Sequence, residues 1–474
     1  MKMLIVPIRR DGDGPIYAQI YEGIRRMILD GSLTVGTKLP SKRKFAEHLG
    51  VSNTTVELAY EQLLAEGYIT SRPRSGFYIQ DIGELAYAQP AENQKAATPR
   101  QQAKTEYKYD FSPGRIDTGA FPFDEWRRQA KNLIDSASAE FLLLGHPHGD
   151  PELRREIATY LNHSRGVRCT PEQIIIGSGT EQLMPLIIRL LGPFTVYAVE
   201  NPGYPLTHHL FRQNDRMTVP IPVDGEGIDV GVLEDSAADA VYVTPAHQFP
   251  TGAVLSVKRR SRLFSWAAAK PGRIIIEDDY DSEFRYGGIP VPALQGMDRH
   301  GRVLYLSTFS KSLMPSLRVA YMVLPEPLLE RYDELFSLYS STVPRLDQQM
   351  LAGFMADGSF SRHLNRMRKV YRRKYVALTT ALGRFAGSVS HEQSQAGMHL
   401  RLTVKSCRSA AELVRLAADA GIRVQSAAAY SITKMEGEGL PEIVIGFGSI
   451  PETDIPEAIS LLMESWSIKK DGTA

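Results

Sequence analysis

A chain of 474 residues exceeds what one compact domain normally holds, so two or three domains are expected. Its 55 Lys and Arg balance 54 Asp and Glu, which excludes a chain-wide polyanion-binding surface and confines any nucleic-acid face to one region. Two cysteines, Cys169 and Cys407, are too few for a disulfide framework, no apolar run approaches the roughly 18 residues of a membrane span, and the N-terminus lacks a signal-peptide layout, so a cytoplasmic protein with no membrane partner is expected.

Residues 1 to about 80 read as a separate unit. Ile16, Ile20, Ile24 and Ile28 recur at steps of four, which marks a helix face, and Asp30-Gly31 is a stop. Pro40-Ser41 opens a second helix with Phe45, Ala46 and Leu49 inward and Gly50 closing it. Ser52 caps a third, with Val56, Ala59, Tyr60, Leu63 and Leu64 inward and Gly67 after it. The β-prone runs Tyr68-Ile69-Thr70 and Phe77-Tyr78-Ile79 flank the turn Arg72-Pro73-Arg74-Ser75-Gly76, which carries two guanidiniums. Three helices and a basic hairpin make a winged helix-turn-helix, whose partner is a double-stranded DNA operator. Base edges would be met by the polar start of the third helix, Ser52, Asn53 and Thr55 among it, and phosphates or a minor groove by Lys42, Arg43, Arg72 and Arg74. Any one of these cations alone is more often a solvated helix face; the ordered set carries the reading.

Residues 81–108, rich in Ala, Gln, Glu, Lys and Pro without an apolar period, read as a flexible linker. From 109 to 474, short apolar runs alternate with helical segments: Ile174–Ile176, Thr195–Val199, Ala240–Val243, Ile274–Ile276 and Val303–Leu306. Such runs suit strands covered on both faces, hence an α/β unit with a mainly parallel sheet.

Several segments of this second unit fit one pyridoxal 5′-phosphate molecule. Lys311 follows a buried strand in Ser307-Thr308-Phe309-Ser310-Lys311-Ser312, with Arg318 seven residues on. An amine suits a Schiff base with an aldehyde; hydroxyls and a guanidinium suit a phosphate. Gly177-Ser178-Gly179-Thr180 lies between a strand and a helix, where amides accept a phosphate. Tyr204 offers a flat ring for stacking, the run Glu277-Asp278-Asp279 a carboxylate at a strand end that can hold a ring nitrogen protonated, and Tyr280 a hydroxyl for the phenolic oxygen. Singly, each of these has an ordinary structural role: a turn, a core ring, a capping acid. No metal site is expected.

Two resemblances join here. Tyr17-Ala18-Gln19-Ile20, Leu39-Pro40-Ser41-Lys42-Arg43, Val51–Val56 and Ala59–Tyr68 resemble the GntR-type winged-helix pattern, except that Asn53 stands where that family often has arginine; asparagine favours adenine, so a more A·T-rich operator follows. Arg165-Gly166-Val167, Pro171–Ile174, Asn201-Pro202-Gly203-Tyr204, Pro245–Gly252 and the Lys311 segment resemble fold-type I aminotransferases over residues 109–465. That resemblance implies Lys311 as the Schiff-base lysine, Gly179, Thr180, Thr308, Ser310 and Arg318 on phosphate, Asp278 on the ring nitrogen, Tyr280 on the phenolic oxygen and Tyr204 stacked. A GntR-type head on an aminotransferase-like body is similar to the MocR/GabR family of transcription regulators, which implies a head-to-tail homodimer.

The chain departs from an enzyme at three places. Phe249 replaces the usual Asn before Pro-Thr-Gly, the late strand Glu442–Gly448 lacks the carboxylate-binding arginine, and Leu144 stands where many enzymes have tyrosine. The two arginines of the family's γ-aminobutyrate sensor fall near Leu206 and Ala429; Arg115 and His399 are alternative effector contacts. These gaps favour sensing over turnover, with at most weak transamination. The effector is then pyridoxal phosphate itself, as in vitamin B6 regulation, or a small amine, amino acid or peptide. The rival readings are an active aminotransferase carrying a DNA-binding head and a body that has lost its cofactor.

Overall fold

The computed structural model describes residues 4–8, 14–81, 106–136, 139–287, 291–392, 396–433 and 439–471. All but the ends of the segment read as a linker lies outside them. The chain divides into two units, residues 1–104 and 105–474, each taken here by itself.

In the first unit, helix α1 (Ile16–Leu29) buries Ile20, Ile24 and Ile28, the isoleucine row read from the step of four. Helix α2 (Lys42–Leu49) is capped by Ser41, whose hydroxyl accepts the Lys44 N–H, and ends at Gly50, whose left-handed φ of 64° a glycine adopts without strain. Helix α3 (Asn53–Ala65) starts at Ser52, which accepts the Thr55 N–H at 3.1 Å. Its core face is Val56, Ala59, Tyr60 and Leu63. Leu64, expected inward, is 39% exposed, because the residue after Leu63 lies about 100° further round the helix. Strands β1 (Ile69–Arg72) and β2 (Gly76–Ile79) pair antiparallel, with Ile69 opposite Ile79 and Arg72 opposite Gly76. This is the winged helix-turn-helix.

The second unit is built on an eight-stranded sheet. Its strands are β3 (Ile174–Gly177), β4 (Tyr197–Asn201), β5 (Thr218–Asp224), β6 (Gly227–Ile228), β7 (Ala240–Val243), β8 (Ile274–Asp279), β9 (Val303–Thr308) and β10 (Ala320–Val323), in spatial order β3-β10-β9-β8-β7-β4-β5-β6. The run from β9 to β5 is parallel, while β10 is antiparallel to both its neighbours. All the residues of β3, β7, β8 and β10 are buried, as expected of strands covered on both faces. The sequence reading missed a second sheet, β11 (Val389–His391), β12 (His399–Val404), β13 (Gln425–Ser426) and β14 (Glu442–Gly446), antiparallel in order β11-β12-β14-β13. Its own core includes Tyr371, Leu402, Ile443 and Leu462.

Replacing Ser52 with alanine removes the acceptor for the Thr55 N–H and is expected to loosen the first turn of α3 by about 1 kcal/mol. Amide exchange at Thr55 in the full chain should accelerate several-fold; an unchanged rate would show that the cap contributes nothing.

Candidate functional site: a cavity at the strand ends and a basic wing

The carboxyl ends of β3, β4, β7, β8 and β9 and the entry to β10 open into one cavity of about 470 Å³. Open α/β sheets place ligands at this edge, outside the carboxyl ends of parallel strands. Gly179, Thr180, Tyr204, Asp278, Tyr280, Thr308, Ser310, Lys311 and Arg318, scattered over 140 positions of sequence, all line it.

At one end lie the anion donors. Gly179 precedes the helix α4 (Thr180–Leu191) at φ 139°, and a Cβ there would stand 2.2 Å from Arg318 Nη2, so only glycine lets the guanidinium approach this helix start. Arg318 itself adopts left-handed φ and ψ of 53° and 45° and donates to Glu181 Oε2 at 2.9 Å. Thr308 Oγ1 accepts the Ser310 N–H at 3.1 Å and lies 2.8 Å from Ser310 Oγ. Two hydroxyls, a guanidinium and a helix N-terminus thus face one space.

Lys311 sits in the helical turn Phe309–Ser312 that follows β9, and its Nζ donates to the Pro113 carbonyl. Loss of solvation pushes its amine down to about 8, against the opposing pull of the Asp281 charge. Asp278, buried at the end of β8, is pushed up to about 7, mainly by burial, although the Tyr242 hydroxyl donates to it. A cationic ring nitrogen beside Asp278 would restore its charge. The Tyr280 hydroxyl donates to the His247 carbonyl at 2.9 Å, and the Tyr204 ring stands edge-on to Phe249 at 5.8 Å. His247 Nδ1 lies 3.0 Å from Asp281 Oδ2, and the His399 ring packs 4.7 Å from the His247 ring.

On the first unit the four cations differ in what they already do. Lys42 is tied to Glu57 at 2.6 Å and lies over the Phe77 ring, bridging α2 to α3 and the wing. Arg43 is 87% exposed, with only an i,i+4 contact to Glu47. Arg72 stacks 4.5 Å from the Tyr78 ring, and Arg74 occupies the exposed tip at φ 59°. Asn53 is exposed at the start of α3, whereas the Ser52 and Thr55 hydroxyls lie 2.7 Å apart within the cap.

The comparisons agree with both halves of this description. Residues 16–79 match the model "Bacterial regulatory proteins, gntR family", and residues 109–437 match "Aminotransferase class I and II". Over 97% of its length the chain is 42% identical to the uncharacterized HTH-type transcriptional regulator YdeL of Bacillus subtilis, covering 99% of that protein. It is 36% identical to the probable rhizopine catabolism regulatory protein MocR of Rhizobium meliloti over 82% of each chain, and 32% identical to the pyridoxine biosynthesis regulator PdxR of Corynebacterium glutamicum over 94% and 96%. The chain belongs to the MocR/GabR family of transcription regulators. Among solved structures, an archaeal alanine:glyoxylate aminotransferase superposes with a TM-score of 0.69 at 23% identity, over 76% of this chain and 90% of its own. The α-aminoadipate aminotransferase LysN of Thermus thermophilus gives 0.66 at 26%, over 79% and 95%. The cofactor of this family fold is pyridoxal 5′-phosphate. The donor set fits it: the approach that glycine permits at position 179, the paired hydroxyls, a buried carboxylate and a partly neutral amine.

For a MocR/GabR-type body, the positions that set this chain apart are now placed. Phe249 and Leu206 line the cavity, as does His399. Arg115 does not; its Nε pairs with Asp110 at 2.8 Å. Ala429 and Leu144 are exposed and are not part of the lining. Sequence reasoning missed Tyr242, Asp281, Met398, Gln425 and Tyr430. Tyr242 sat in a run read only as apolar; Asp281 was adjacent to Tyr280 in the acidic run and could have been noticed.

The depressed amine at Lys311 has a measurable consequence. Its neutral, nucleophilic form increases as pH rises through about 8. Borohydride-trapped attachment of pyridoxal phosphate at Lys311 is expected to gain rate with a midpoint near that pH, whereas an ordinary surface lysine titrates near about 10.4. A rate still climbing past pH 10 would contradict the burial argument.

Proposed function

We propose that the protein is a pyridoxal-phosphate-dependent transcription regulator in which Lys311 carries the cofactor covalently. Gly179, Thr180, Thr308, Ser310 and Arg318 hold its phosphate, Asp278 its ring nitrogen, Tyr280 its phenolic oxygen, and Tyr204 covers its ring. When bound, pyridoxal phosphate supplies an aldehyde that condenses with amines and a pyridine that withdraws electrons. The observation that carries this reading is the convergence of all nine residues on one cavity around a desolvated amine.

The residues divide the work. Arg318 and the start of α4 anchor the anion, which fixes the ring relative to Lys311. Lys42, Arg43, Arg72 and Arg74 meet operator phosphates or the minor groove, and Asn53 meets a base edge; Ser52 and Thr55 contribute by fixing the helix start. The effector is the cofactor itself or a small amine, amino acid or peptide. We place the protein in the cytoplasm, where its DNA is; no helix among the described residues is long and apolar enough to cross a membrane. A homodimer is supported by Leu142, Leu143 and Leu144, consecutive leucines left 87%, 65% and 84% exposed in the single chain, a patch a second copy would cover.

Two measurements test the reading. Purified protein loaded with pyridoxal phosphate is expected to show a visible absorption band that Lys311→Ala abolishes; persistence of the band in that variant would place the cofactor elsewhere. Arg43→Ala and Arg74→Ala are each expected to weaken operator binding and to reduce its log–log salt slope by about 1. Unchanged slopes at both would move the DNA face away from α2 and the wing.

A further inference from the structure

The residues assigned to the cofactor leave part of the cavity wall unused. That remainder sets aromatic and apolar side chains beside Thr244, Gln425 and the carboxylates of Glu181 and Asp281, with no lysine or arginine among the described residues. Phe249 stands edge-on to Tyr430 at 4.8 Å and 89°, lies 5.0 Å from the His399 ring, and shares the lining with Leu206 and Met398. His399 is no cation here: burial, then the neighbouring His247 and Lys311, hold it neutral well below its ordinary range. The charged lining among the described residues is three carboxylates, Glu181, Asp278 and Asp281, against Lys311 and Arg318. Arg318 already pairs with Glu181, and a cofactor phosphate would add about two further negative charges. A carboxylate entering this space loses its hydration, faces like charge and meets rings rather than a free guanidinium. An ammonium meets the reverse, the buried Asp281 carboxylate in a cavity lined by aromatic side chains.

We propose that the body takes as effector a primary amine lacking a carboxylate, with an aromatic or apolar body packed against Phe249, Tyr430, Leu206 and Met398 and its nitrogen toward Asp281 and Lys311. This rests on the cofactor reading above and narrows it to a ligand class.

The test is calorimetric titration of the full-length, pyridoxal-phosphate-loaded protein with matched pairs: 2-phenylethylamine against phenylalanine, and tryptamine against tryptophan. Each amine is expected to bind about tenfold or more tighter than its amino acid, and Phe249→Ala to weaken the amines by about the same factor. Leu206→Arg, judged in protein that keeps the visible band, is expected to raise affinity for the amino acids. Amino acids that bind wild type as tightly as the amines, or the absence of binding by either while the band is present, would overturn the proposal and leave the cofactor reading standing. Wild-type protein that shows no band after loading would overturn both.

Discussion

Everything in the body depends on drawing one amine from bulk water into the wall of a cavity. Lys311 follows a fully paired strand, in a four-residue helical turn capped by Thr308, so its backbone has little freedom to carry the side chain back to solvent. The cost of that burial appears as an amine that is half neutral near pH 8. The offsetting charge is Asp281, itself buried and fastened through its carboxylate to His247. The same short segment therefore supplies the electrostatic support of the lysine and, through Asp278, the acid that would face a pyridine.

That segment carries a heavy electrostatic load. Glu277, Asp278, Asp279, Asp281 and Glu283 are all buried within seven consecutive residues. Each has a different remedy. Asp279 is paired with Arg165 at 2.8 Å, both nearly inaccessible, and accepts the Tyr305 hydroxyl at 2.8 Å. Glu277 accepts the Leu294 and Gln295 amides at 2.8 and 2.9 Å, yet burial still pushes it up to about 7. Glu283 is likewise pushed up to about 7 by burial, with the Tyr160 hydroxyl donating to it. The ion pair keeps Asp279 partnered, while burial first, and the Asp279 charge with it, raises the proton affinity of Glu277, Asp278 and Glu283.

What was legible in the sequence follows from contact distance along the chain. Lys311, Thr308, Ser310 and Arg318 act within one turn and its sequel, so their spacing alone points to an anion beside an amine. The isoleucine row of α1 and the caps at Ser41 and Ser52 are local for the same reason. By contrast, Tyr242 reaches Asp278 across neighbouring strands, and Phe249 meets Tyr430 from 181 positions away; no periodicity encodes either pairing. Strand β10 was not read from the sequence at all, because a buried apolar run of four residues fixes neither its element type nor its direction. Of the second sheet only the late strand at Glu442–Gly446 was read; its pairing with His399–Val404 and Gln425–Ser426 was hidden because the partners are separated by helices and loops with no composition change to mark them.

The second sheet explains how occupancy of the cavity can become a signal. The lining is shared: Leu206, in the helix Pro205–Gln213, and Phe249, in a loop, come from the large-sheet layer, whereas His399 and Gln425 belong to the small sheet, with Met398 just before β12 and Tyr430 just beyond β13. The two layers are joined beside the cavity by polar bonds, among them Gly203 N–H to the Tyr430 carbonyl at 3.0 Å, Ile432 N–H to Asn201 Oδ1 at 2.9 Å and Gly397 N–H to the Phe284 carbonyl at 2.8 Å. A small apolar cluster of Phe249, Ala427, Tyr430 and Val444 closes the seam. A ligand seated against Phe249 and Tyr430 therefore touches both layers at once. A ligand shifts a population only where its binding energy differs between two states, and a ligand that bridges both layers is placed to feel any change in their spacing.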